Sequence, residues 1–202
     1  MTDDAARFRR PASLPQQPPA SPAPDSSPGR RAELAEDIAR ALLTVGRDDP
    51  ALALRRADEL GVVELTEAWS GSESGSLPDV LLTLHVLRTW LHFRSTEARL
   101  LYETGRHAEQ VSEVVAGLPD TPTPDDLAGF GETLLLLAYG GRLAAAADRA
   151  AAFLGIVAAG REQLADPASD EAPALVGQAA KARAGAAVLR RAATTFAGPE
   201  YR

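Results

Sequence analysis

Between residues 141 and 197 the apolar positions fall on an alternation of four and three. Ala146, Ala150, Phe153, Val157, Gly160 and Leu164 form one such row, and Leu175, Ala179, Ala182, Ala186, Leu189, Ala193 and Phe196 form a second. That period belongs to a helix presenting one continuous seam to a neighbour. A strand could not bury it, because successive residues of a strand point to opposite faces. Asp166-Pro167-Ala168-Ser169 supplies a turn between the rows, so an antiparallel helical hairpin over 141–197 is expected. Because the seams are filled mostly by small residues, the two axes should approach closely. An alanine seam buries little area per turn, which leaves such helices dependent on intrinsic propensity and on docking to the rest of the chain.

The remaining apolar residues also recur at helical spacing, and a compact all-α bundle of about seven or eight helices is expected. A first helix is read over Ala32–Val45 with a stop at Gly46, a second from Pro50 to Leu60, and a short continuation from Val62 to Trp69. After the loop from Ser70 to Ser76, Ser76 and Asp79 suggest a capping box for a helix running to Phe93. Ser95 or Thr96 is expected to cap a helix to Thr104, followed by one from Arg106 to Ala116. Thr123-Pro124-Asp125-Asp126 opens a further helix ending near Gly140.

Residues 1–30 read differently. Seven prolines between Pro11 and Pro28 alternate with Ser, Gln and Ala, and Leu14 is the one large apolar residue among them. Burial there could not offset chain entropy, so a disordered tail is expected in front of a single helical domain over 31–198. Pro15-Gln16-Gln17-Pro18 has PxxP spacing, which arises freely in such composition.

The net charge of −7 is unevenly placed: residues 1–31 and 170–202 each carry +2, leaving −11 between them. The basic C-terminal helix lying on an acidic bundle is the plainer expectation, and an acidic face offered to a basic partner is the other. An acidic chain is poorly suited to neutralising nucleic-acid phosphates or an anionic membrane. Without cysteine there is no thiolate metal site, disulfide or cysteine nucleophile. Arginine outnumbers lysine so heavily that Lys181 is the sole lysine, as GC-rich bacterial codon usage would produce. No export signal is read at Met1–Arg10, the apolar runs Val80–Leu91 and Leu134–Tyr139 are too short or interrupted to span a bilayer, and a cytoplasmic location is expected.

Three helix corners share a glycine followed by an arginine: Gly46-Arg47, Gly105-Arg106 and Gly140-Gly141-Arg142. Each resembles the inter-helix corner of tetratricopeptide-type repeats, in which a glycine ends one helix just before the next begins. Gly46, Gly105 and Gly141 are 59 and 36 residues apart, whereas that repeat keeps a constant period, and any helix hairpin can call for a left-handed glycine. No family is assigned.

Candidate chemistry is sparse. His85, Arg88 or Thr89, and His92 form a polar stripe on one helix, but imidazoles seven residues apart are separated by about 10 Å along the axis, too far to share a metal unaided. The Ser70–Ser76 loop leads into a helix N-terminus, yet it lacks a P-loop pattern and carries Glu73 at its centre. Trp69 and Trp90 flank that loop, and a tryptophan in an aromatic-poor chain is more often a core plug than a ligand platform. The candidate binding surface is therefore Trp69, Glu73, Arg88 and His92, with Trp69 leaning towards the core. No catalytic set, cofactor site or metal site is expected. The leading expectation is a non-catalytic helical protein that binds a protein partner. A small-ligand protein or enzyme with its site near Trp69–His92 is the alternative, and a nucleic-acid-associated regulator the third. Homo-oligomerisation through the Ala-rich helices is left open.

Overall fold

A computed structural model describes residues 27–108 and 116–198. Among them the regular elements are all helical: α1 (Pro28–Asp48), α2 (Pro50–Leu60), α3 (Val62–Trp69), α4 (Leu77–Phe93), α5 (Ser95–Gly105), α6 (Pro124–Leu137), α7 (Leu143–Leu164) and α8 (Ala172–Thr195). A 3-10 turn, Arg106–Ala108, follows α5, and a π turn, Ala138–Arg142, joins α6 to α7. The all-α bundle read from periodicity is the fold. The tail up to residue 26 and most of the helix expected over Arg106–Ala116 lie outside the described residues.

Helix boundaries depart from expectation at several points, each with a local cause. The first helix begins at Pro28 because Ser27 Oγ accepts the Arg30 N–H at 3.4 Å, and it continues through Gly46 to Asp48. Gly46 is therefore no stop signal. Its bare Cα lets α1 press on the π turn, where an added Cβ would lie 2.6 Å from the Tyr139 carbonyl oxygen. Asp49 does the terminating, and its Oδ1 accepts the Leu52 N–H at 2.9 Å to open α2. The capping box expected at Ser76 does not form: Ser76 makes no side-chain cap bond, and Asp79 instead accepts the Gly75 N–H at 2.8 Å. Neither Ser95 nor Thr96 caps α5, whose N-cap position is Arg94. At α6 the box is complete, with Thr123 Oγ1 accepting from the Asp126 amide at 3.1 Å and Asp126 accepting from the Thr123 amide at 2.8 Å.

The three glycine corners resolve into different devices. Gly141, at φ +78°, is the left-handed corner that only glycine adopts readily. Gly46 and Gly105 permit close backbone approach instead, so the three corners do not share one physical cause.

The Ala-rich hairpin is present, and α7 and α8 form the most extensive helix pair in the molecule. Five of the six positions in the α7 row are buried, Leu164 at its end being exposed. The pattern understates α7, which packs on α5 and α6 as well and buries residues around most of its circumference. Phe153 sits at its middle with Tyr102, Phe130 and Trp90 around it at ring-centre distances of 5.9, 5.3 and 6.3 Å. Four of the chain's ten Trp, Tyr and Phe residues meet in this one cluster. Because the alanines after Arg142 extend the apolar stretch, the helical run Pro124–Leu164 is long and apolar enough to cross a membrane by length and composition, contrary to the reading of short separate runs. Its apolar window is 72% buried inside the bundle.

Candidate functional site

The four residues expected to share a surface do not do so. Trp69, at the end of α3, is 1% exposed and belongs to the core, its Nε1 without a hydrogen-bond partner among the described residues. Glu73 is exposed on the loop. Arg88 is engaged by Asp58 of α2, donating from Nη1 to Oδ1 at 2.6 Å and from Nη2 to Oδ2 at 3.2 Å. His92 is exposed and meets the Phe93 ring edge-on at 4.9 Å. Arg88 and His92 do line one cleft, together with Phe93 and Glu132, whereas Trp69 and Glu73 are not part of it.

The polar stripe on α4 splits by depth. His85, one residue towards the core from the exposed Val86, is 4% exposed and shares a 2.7 Å hydrogen bond between Nε2 and the Tyr139 hydroxyl. Which partner donates follows the imidazole tautomer. Burial pushes the imidazole down to about 4, the Asp58 carboxylate working against that and the Arg88 guanidinium with it. Burial also drives the Tyr139 phenol upward. The pair is thus a neutral, enclosed polar unit, not a poised base, and it holds α4 against the π turn.

A different recess carries more chemical information. α4, α7 and α8 leave between them a groove of about 380 Å³, inside the range of about 300–1,000 Å³ usual for ligand sites. Its three walls repeat one arrangement. Thr83 and Trp90 on α4, Leu154 and Arg161 on α7, and Gln178 and Gly185 on α8 are each seven residues apart, two helical turns or about 10 Å. Arg161 lies over the Trp90 ring, its guanidinium carbon 5.6 Å from the ring centre, so Trp90 and Arg161 occupy one end. Leu154 and Gly185 meet at the other, where a Cβ on Gly185 would be 3.6 Å from Leu154 Cδ1. The groove is polarised along its length, cationic at one end and apolar at the other.

Arg161 is unusual for a surface arginine. Its side chain is 12% exposed, its ion pair with Glu97 is long at 3.6 Å, and its buried Nε has no hydrogen-bond partner among the described residues. Desolvation lowers its pKa, opposed by Glu97. Lys181, on the α8 wall, is exposed and makes no ion pair among the described residues. Beside them Arg183 is held by Glu162 in a two-pronged pair at 2.7 Å on each arm, which ties the basic α8 to α7.

Comparison with protein-family models, with curated proteins and with solved structures finds no match to this chain. The site therefore stands on its own geometry. Arg161, Trp90, Lys181 and Leu154 were not singled out together by sequence reasoning, which paired Trp90 with Trp69 through the intervening loop. The usable signal was the seven-residue spacing of Trp90, Arg161 and Gln178 from Thr83, Leu154 and Gly185 on three separate helices.

Proposed function

We propose that the protein acts by binding and that the groove between α4, α7 and α8 is its binding element. The observation that carries this reading is the polarised lining: an apolar end at Leu154 and Gly185 and a cationic end at Arg161, packed on Trp90. A catalytic reading has less support, because His85 is committed to Tyr139 and Asp58 to Arg88. The test is a titration with 1-anilinonaphthalene-8-sulfonate, read by energy transfer from tryptophan in the folded protein. Gly185→Leu fills the apolar end of the groove and should abolish saturable binding, and undiminished binding by that variant would remove the groove from consideration.

A protein-docking surface is the second reading, favoured by Phe93, which is 75% exposed beside the cleft that holds Arg88 and His92. An aromatic ring left in solvent beside charged groups has the composition of an interface anchor. A partner recovered from native cell extract with the wild-type chain and lost with Phe93→Ala supports it, and equal recovery overturns it.

A further inference from the structure

Resting on the reading of the groove as the binding element, we infer that its ligand is a small amphipathic monocarboxylate, seated with its carboxylate at Arg161 and Lys181 and its hydrocarbon body along Leu154 and Gly185. Three observations converge on that chemistry. The first is the sign of the polar end. Arg161 and Lys181 are cations, and the amide of Gln178 is the remaining polar side chain from α8 at that end. Glu97 is the carboxylate that faces Arg161, and at 3.6 Å it leaves the Nε–H unanswered. A buried guanidinium N–H without an acceptor costs more than one in solvent, and an arriving carboxylate that accepts from it recovers that cost through a charge-assisted bond.

The second observation is the apolar end. Leu154 of α7 and the bare Gly185 of α8 face Val86 and Leu87 of α4, and Val86 is 49% exposed although apolar. Among the described residues no polar side chain but Thr83 stands there, so a second charged group on the ligand would have no partner and would lose its hydration. A ligand carrying a charge at both ends is excluded on that ground. The third observation is size. Each wall spans two helical turns, about 10 Å, and that length suits a medium chain or a single fused-ring body.

The Trp90 ring forms the floor beneath Arg161, so ligand seated there perturbs its emission, whereas Trp69 is enclosed in the core and serves as a constant background. The experiment titrates the full-length protein with decanoate below its micelle concentration, and in parallel with decanol and decyltrimethylammonium, following tryptophan emission and heat. Decanoate should bind saturably with one site and at least tenfold more tightly than either control. Lys181→Glu, at an exposed position and with its folding checked by circular dichroism, should weaken decanoate at least tenfold and leave decanol unchanged. Gly185→Leu should weaken all three.

Equal affinity for the three head groups, or decanoate binding indifferent to Lys181→Glu, overturns the carboxylate assignment while leaving the groove as a binding site. Absence of saturable binding by every probe overturns the assignment and the reading of the groove together. If a second copy of the chain fills the groove, sedimentation shows a dimer that Gly185→Leu dissociates and decanoate does not, and this outcome also overturns the proposal.

Discussion

Gly105 of α5 and Gly160 of α7 face each other where the two helices cross: a Cβ on Gly105 would lie 2.5 Å from the Gly160 amide nitrogen, and one on Gly160 would collide with the Leu101 carbonyl oxygen. The two backbones are in contact with no side chain between them. Gly160→Ala must push α5 away from α7 and should cost roughly 1–3 kcal/mol or more. A Cβ on Gly177 of α8 would meet no neighbouring element within 4 Å, so Gly177→Ala should stabilise by roughly 0.5–1 kcal/mol through helix propensity alone. Urea melts of the two variants decide it, and effects of the same sign would show that the crossing is looser than described.

The enclosed His85 gives stability a pH dependence with a definite direction. Its folded pKa, about 4, lies below the ordinary 6.5, so the unfolded chain binds more protons between those values. Stability is therefore intact above pH 6.5 and falls as pH drops through the window, by up to about 1.4 kcal/mol per unit. His85→Gln should flatten the slope between pH 6.5 and 5, above the range where most carboxylates titrate. A wild-type slope unchanged by the substitution would mean that His85 takes up its proton without opening the fold. Tyr139→Phe, which strips His85 of its partner, should cost about 1–3 kcal/mol at neutral pH.

The two tryptophans should separate by their surroundings. Trp69→Ala leaves a cavity in the core and should cost about 3–5 kcal/mol. Trp90→Ala, at a half-buried position on the groove floor, should cost less while abolishing the emission change on ligand addition. Guanidinium melts monitored by circular dichroism make the comparison, and a larger cost at Trp90 would reverse the assignment of core and groove.

Ala186 is buried in the α7–α8 seam and Ala187 is only partly covered. Ala186→Leu should therefore overpack the hairpin and cost roughly 1–3 kcal/mol, with Ala187→Leu costing less. Matching losses in thermal melts would place the seam elsewhere on α8.

What the chain disclosed in advance was set by how local each cause is. The α7–α8 hairpin, the start of α6 at Thr123 and the break at Gly61 depend on residues within a turn or two of one another, and their pattern is visible in one dimension. Gly46 was misread as a helix stop, and although α5 does end at Gly105, the need for glycine at both positions was hidden for the opposite reason: what requires it is Tyr139 in one case and Ile156 and Gly160 in the other, partners remote in sequence. The same limit governed the site. Trp69 and Trp90 flank one loop, yet α3 turns the first into the core while Trp90 looks towards Arg161, seventy-one residues further along the chain. Closeness in sequence suggested a shared surface, and the helix crossings dispersed it.

Lys181 carries the sole ε-amine in the chain, and it stands on the α8 wall of the groove. Amine-directed chemistry, apart from the terminal amino group, consequently has one address on this molecule. A single acetyl, methyl or fluorescent tag delivered by an ordinary lysine reagent lands at the mouth of the groove, with no need for an engineered cysteine to direct it.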